Sequence, residues 1–387
     1  MKLTEEDKDK INLWQFKKNL SNSTLKTYKA SLKEYCNLLE KTPAQIINEA
    51  IDEEKSGMWK LDLSINKRLQ KFKQYLTKST KAESTQALYM YAVISFYSAH
   101  AIYIPDITMP QGDLGLEKNH GRLMEKYEIQ RMVNIASSRE AAFIYLFYLS
   151  GLSQKEARNL TIRRFMESAG NSIKVYLETL DDLFKYEKEI TEEILQLDII
   201  RKKVNYRYIT FIPPETSKRI FAYLRERIHG RNLKIRPKSL DEPIFVKDYG
   251  EPMDHDTVGQ NIKRVGLDSG LKKEKGAYAF WRPHAGRKYF ISTIINKLKN
   301  PLLAHFMAGH KISSDDRAYW YANSDELKDF YIEALQYLSI DSVEPVKVKS
   351  PEFRKLENKY EHMELFMQAM LDDPVVYERY QNRLLQK

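Results

Sequence analysis

One cysteine stands in 387 residues: Cys36, inside the apolar-periodic stretch LKEYCNLLE. A single thiol excludes an intramolecular disulfide and any zinc site built on cysteines. The chain has no Walker-type glycine-rich loop and no HExxH pair, so neither a P-loop nucleotide site nor a zincin-type metal site is written into it. No apolar run approaches the length of a membrane span, and the opening, MKLTEEDKDK, is too charged for a secretory signal. A cytoplasmic protein is the expectation. Acidic side chains are also in deficit: 53 Asp and Glu against 63 Lys and Arg leave a formal charge of +10. A basic excess suits an anionic partner, most simply a nucleic-acid backbone, although a lysine-rich soluble surface gives the same number. The last 45 residues, 343–387, carry eight basic and eight acidic side chains, so the whole excess lies before residue 343.

The first hundred residues read as helices. STLKTYKASLKEYCNLLE offers Ser23 and Thr24 as caps, and Leu25, Tyr28, Leu32, Tyr35 and Leu39 then recur as one apolar stripe. INKRLQKFKQYLTK and STQALYMYAVISFYSAH repeat the pattern, with Lys67, Arg68, Lys71 and Lys73 on or near an exposed face. Such a bundle suits a DNA clamp and a solvated surface equally. Residues 105–122 concentrate Pro, Gly and Asp, the composition of a linker. The expected organisation is a helical domain over 1–115, a second domain over 116–342 and a helical tail over 343–387.

Within the second domain, EKYEIQRMVNIA and REAAFIYLFYLSGLSQKEARNL predict helices, the latter buried. SIKVYLETL and VNYRYITFIP have the alternation of strands, and PPETSKRIFAYLRERI starts on Pro as helices often do. From AYAFWRPHAGRKYF to about residue 340 the chain reads as helices again. In the tail, apolar residues at 353, 356, 360, 363, 367 and 370 trace a heptad seam shorter than three heptads, suited to packing on its own domain or on a neighbouring subunit.

The densest constellation lies between 284 and 321. HAGRKYF places His284 and Arg287 on one helix face, His310 follows in AGH, and Tyr319 comes nine residues later. A tyrosine hydroxyl, with an ordinary pKa of about 10, is a weak nucleophile at neutral pH. It needs a base or a strong positive field, which Arg and His supply. A planar guanidinium fork also matches the oxygens of a phosphodiester under attack.

HAGRKYF, AGH and the tyrosine beyond it, followed by SDELKDFYIEALQYLSI, resemble the C-terminal boxes of the tyrosine recombinases, the phage integrase and Xer-like enzymes. FYLSGLSQKEARNLTI resembles that family's first-arginine helix, EPIFVKDYGEPMDHDTVGQNIKRVG the segment before the HxxR box, and STLKTYKASLKEYCNLL its core-binding domain. The resemblance spans roughly residues 10–340. It implies a mainly α fold: a helical, SAM-like core-binding domain, then a mostly helical catalytic domain with a small antiparallel sheet. It further implies strand cleavage through a 3′-phosphotyrosine and rejoining to another strand, without metal, ATP or any cofactor. The implied partners are double-stranded DNA and three further copies of the chain, as a homo-tetramer on DNA.

Carried across, Tyr319 is the nucleophile, with Tyr321 as its rival. Arg287 clamps the scissile phosphate, His284 acts as acid or base, and His310 hydrogen-bonds a phosphate oxygen. The family lysine, which protonates the leaving 5′ oxygen, falls on Lys203, with Lys202 second. One departure stands out: the family's arginine after Gly-Leu is replaced by Ser153, which with Glu156 forms an S-x-x-E capping box. Arg158 is the nearest substitute, although five residues along a regular helix turn a side chain through about 140°. Arg163 and Arg164 are rivals. Segment 178–200 looks longer than a tight hairpin requires and reads as an insertion. Two other readings stay open: a DNA-binding protein that has lost cleavage, and a type IB topoisomerase-like nicking and closing enzyme.

Overall fold

The computed structural model describes residues 3–109, 122–201, 206–273, 279–314, 316, 323–341, 359 and 363. The chain divides into two compact units, residues 1–120 and 121–387.

Among the described residues the first unit holds five helices: α1 (Glu5–Lys17), α2 (Asn22–Leu39), α3 (Pro43–Lys55), α4 (Ser64–Thr77) and α5 (Glu83–Ala99). Helix α2 starts earlier than expected because Ser21, not Ser23 or Thr24, is its cap, accepting from the Thr24 N–H at 3.2 Å. Its apolar stripe meets Trp14, Phe72, Phe96 and Tyr97 in an aromatic core, where the Tyr35 and Tyr97 hydroxyls pair at 2.9 Å. Cys36 is buried there, and burial pushes its thiol up to about 12, so it is a packing residue rather than a reactive one. On α4, Lys67 and Lys71 are exposed. Arg68 is not: it turns inward and pairs with Glu49, so it leaves the expected basic face.

The second unit is built on α7 (Ser138–Leu149), whose residues 140–149 are all buried, as the apolar run after Glu140 requires. Before it comes α6 (Lys126–Ile135); after it come the short α8 (Gln154–Arg158), α9 (Ile162–Ile173), α10 (Leu180–Lys185) and α11 (Glu187–Glu192). Strands β1 (Leu195–Arg201) and β2 (Tyr206–Ile212) form an antiparallel pair with Leu195 opposite Ile212 and Arg201 opposite Tyr206. Then follow α12 (Pro214–His229), α13 (His255–Asp268), α14 (Pro283–Leu298), α15 (Pro301–Met307) and α16 (Ser324–Leu338). Helices α12 and α14 pack on α7, and α16 docks back onto the same unit, its buried Tyr331 hydroxyl donating to the Leu149 carbonyl at 2.8 Å. Among the described residues no helix is long and apolar enough to cross a membrane.

Two sequence expectations fail here. SIKVYLETL is not a strand: α9 ends at Ile173, Lys174 takes a left-handed conformation (φ 57), and Thr179 caps α10. Among the described residues its alternation finds no strand to pair with. The true partner of β2, LQLDIIR, lies inside the segment expected to be an insertion in all but its last residue, with Leu195, Leu197 and Ile199 facing inward. That segment holds two short helices and half of the sheet.

Candidate active site

The site begins where α7 ends. The chain turns through Ser150, Gly151 and Leu152, and Ser153 caps α8. Glu156 completes the capping box, accepting the Ser153 N–H at 2.7 Å. The same carboxylate has a second task. Its Oε1 accepts from Nε of Arg201, the last residue of β1, while its Oε2 lies 3.5 Å from Nη1 of Arg287 on α14. Burial alone would raise its pKa, yet Arg201 and the Ser153 N–H hold it below the ordinary carboxylate value.

Arg287 is buried, with its side chain 5% exposed. Nη1 donates to the Gly151 carbonyl at 3.0 Å and Nη2 to that of Ala308. Burial and neighbouring Arg201 lower its pKa. Arg201 donates from Nη1 to the Gly309 carbonyl, so two guanidiniums hold consecutive carbonyls at the turn after α15. Gly309 takes φ +65, and a Cβ there would lie 2.4 Å from the Tyr208 ring. Arg201 in turn sits over that ring, 5.4 Å from its centroid. Tyr208 is fully buried and burial drives its hydroxyl far above the ordinary value, which makes it a wall of the site rather than a nucleophile.

His310 follows this turn. Its Nδ1 lies 2.8 Å from Nδ1 of His305, one turn back on α15, with the rings 5.1 Å apart and 29° from parallel. Burial, then Arg287, His305 and Arg201, push His310 down to about 4, so it is neutral at pH 7. A contact between two Nδ1 atoms accommodates one proton, so one ring donates and the other accepts. His284, on the first turn of α14, is exposed, and its pKa is lowered by partial burial and by Arg282 and Arg287.

The structure therefore brings Arg287 to Glu156 and His310 into the field of Arg287 and Arg201, with His284 one turn before Arg287 on α14. Arg158 goes elsewhere: its Nη1 donates to the Met253 carbonyl at 3.1 Å. Arg163 pairs with Asp241, and Arg164 donates to the Asp198 carbonyl at 2.6 Å. Lys202, Lys203, Tyr319 and Tyr321 lie outside the described residues. Sequence reasoning missed Arg201, His305 and Tyr208. A signal existed for Arg201, as the first of three basic residues in IIRKK, and for His305, in the same short apolar run as His310.

No family model matches the chain, and no curated protein matches it. Solved structures do. A lambda integrase dimer bound to a COC′ core site aligns over 79% of this chain and 93% of its own, at 13% identity and a TM-score of 0.50. The XerH site-specific recombinase on palindromic difH substrate aligns over 85% and 97%, at 15% identity and a TM-score of 0.48. The XerA recombinase aligns over 85% and 98%, at 18% identity and a TM-score of 0.35. The match to the lambda integrase structure, with a mostly helical chain and a small antiparallel sheet, gives this chain the fold of the tyrosine recombinases.

Proposed function

We propose that the protein is a site-specific DNA recombinase that cuts and rejoins strands through a 3′-phosphotyrosine intermediate. The observation that carries the reading is the charge balance at Glu156. Two guanidiniums meet one buried carboxylate, with His310 held neutral beside them. One positive charge is left uncompensated in a half-buried site, which is the deficit a single phosphodiester fills.

In this reading Arg287 orients the scissile phosphate. His305 keeps the shared proton on its Nδ1, which leaves His310 with Nε2–H to donate to a non-bridging oxygen. The hydroxyl of Tyr319 attacks phosphorus and loses its proton as the new O–P bond forms, with His284 as acid or base. The P–O5′ bond breaks, and Lys203 supplies the proton that the leaving oxygen takes up. The bond energy is kept in the tyrosyl phosphate, so no metal, ATP or other cofactor enters. Residues 1–115 act as the core-binding domain, 116–342 as the catalytic domain and 343–387 as a tail for subunit contacts. The substrate is double-stranded DNA, a reading supported by the lambda integrase dimer solved bound to a COC′ core site. Exchange between two duplexes requires four cleavages, hence a homo-tetramer on DNA. The protein works in the cytoplasm, associated with DNA, and its binding weakens steeply with salt.

The test uses a pool of nicked duplexes with randomised arms, from which protein–DNA adducts are isolated covalently and sequenced. Wild type should form an adduct that disappears in Tyr319→Phe. Tight DNA binding with no adduct would instead establish the cleavage-deficient reading that Ser153 suggests. An adduct that survives in Tyr319→Phe but not in Tyr321→Phe would move the nucleophile.

A further inference from the structure

The proposed reaction meets an obstacle in the sequence: a serine stands where the resemblance expects the first arginine. Ser153 is committed to capping α8, its hydroxyl accepting the Glu156 N–H at 3.4 Å. A phosphate at this site is therefore short of one guanidinium, unless another part of the fold delivers it. We propose that Arg201, at the end of β1, supplies that guanidinium and contacts the scissile phosphate beside Arg287. The inference rests on the recombinase reading.

Four observations converge on it. Arg201 and Arg287 contact the same carboxylate, Glu156, and neighbouring carbonyls, Gly309 and Ala308, so their guanidiniums lie side by side. Arg201 is the more open of the two, with 23% of its side chain exposed against 5% for Arg287. A guanidinium carries five N–H donors. Arg201 directs Nε to Glu156 and Nη1 to Gly309, which leaves Nη2 without a hydrogen-bond partner among the described residues. Finally, the Tyr208 ring beneath Arg201 and the two contacts along its near edge fix the plane of the fork, so its open edge is preorganised.

The alternatives are engaged elsewhere. Arg158 reaches Met253, Arg163 is paired with Asp241, and Arg164 is bound to the Asp198 carbonyl. The chain thus brings its cation from a strand 45 residues beyond Glu156 rather than from the loop three residues before it.

The test compares adduct formation in single turnover on the best duplex from the selected pool. One substrate carries an ordinary scissile phosphodiester. The other carries a methylphosphonate there, which lacks one of the anionic oxygens that a guanidinium neutralises. On the phosphodiester, Arg201→Ala should slow the adduct by about 10²–10³-fold, the usual loss for one preorganised donor. Arg201→Lys, which keeps the charge but not the fork, should fall between. Arg158→Ala should stay within about threefold of wild type, the scale of a residue outside the site. On the methylphosphonate the deficit of Arg201→Ala should shrink to under about tenfold, because the charge it neutralises is gone.

An unchanged phosphodiester rate in Arg201→Ala overturns the proposal. So does an equal loss on both substrates, including loss through misfolding, since a structural role does not distinguish them. Loss of the adduct in Arg158→Ala with Arg201→Ala active assigns the function to Arg158. If wild type forms no adduct on any duplex, the recombinase reading itself fails and this role with it, an outcome visible before any variant is made.

Discussion

Glu156→Gln separates the two tasks of the residue at the centre of the site. Glutamine keeps the length of the side chain and an oxygen to accept the Ser153 N–H, so the cap on α8 survives. What disappears is the charge that holds Arg201 and Arg287 together. Breaking a buried ion pair by removing one partner costs about 3–5 kcal/mol, because the remaining charge stays buried without compensation. Arg287 is almost fully buried, but Arg201 is 23% exposed and recovers some hydration, which favours the lower end. The expected loss is about 3 kcal/mol, a factor of about a hundred in local opening. Because the chain has two units and need not unfold in one step, hydrogen exchange on peptides from β1 and α14 is the appropriate measurement. Exchange there should quicken about a hundredfold in the variant, while peptides from α1–α5 stay unchanged. Inorganic sulfate, taking the place of the missing carboxylate, should restore protection more in Glu156→Gln than in wild type. The pH response has a definite sign as well. Glu156 titrates below its unfolded value, so its contribution is present above about pH 4.5 and is lost as pH falls. The variant should lose that acid-side slope. Protection within about twofold of wild type, or no differential effect of sulfate, would refute the charge argument at its root.

Two further substitutions test the frame around the site. Gly286 lies between His284 and Arg287, where a Cβ would stand 2.6 Å from the Phe147 Cβ and 3.0 Å from the Phe147 backbone carbon. Gly286→Ala should lower stability by about 1–2 kcal/mol, overpacking outweighing the better helix propensity, and should slow adduct formation by shifting α14; equal or greater stability would show that α7 yields. His305→Ala removes both the Nδ1 partner of His310 and one of the groups that depress it. The His310 pKa should rise from about 4, followed by NMR titration of the ring protons. In wild type the unfolded chain binds more protons between about pH 4 and 6.5, so stability falls as pH drops through that window, and the variant should show a shallower fall. An unmoved pKa would mean that burial and the arginines hold His310 neutral without His305.

What the sequence disclosed, and what it concealed, divides by range. Local periodicity identified α2, α7, α12, α16 and β2, because each is amphipathic or uniformly apolar over its own length. It failed at SIKVYLETL and LQLDIIR, since period-two alternation reports only that one face is buried, not that a neighbouring strand is present to bond. The true strand lies hidden in a segment that reads as an insertion because it is longer than a tight hairpin requires. The same limit governs the site. His284 and Arg287 share a helix turn, and His310 stands in a short motif, so spacing alone was enough to nominate them. Arg201 and Glu156 meet only because β1 is paired with β2 and lies against the turn after α15, a relation that no local window contains. Glu156 was legible as a capping residue and nothing more, since S-x-x-E accounts fully for its position. Yet a cap needs only one acceptor position on one oxygen: Oε2 takes the Ser153 N–H and still faces Arg287, while Oε1 is left for Arg201. That freedom bears on how a serine is tolerated after Gly151-Leu152: with Glu156 fixed by its own helix start, a guanidinium arriving from any element within reach is held at nearly the same point. The position of the cation is then set by its carboxylate partner rather than by its place in the chain.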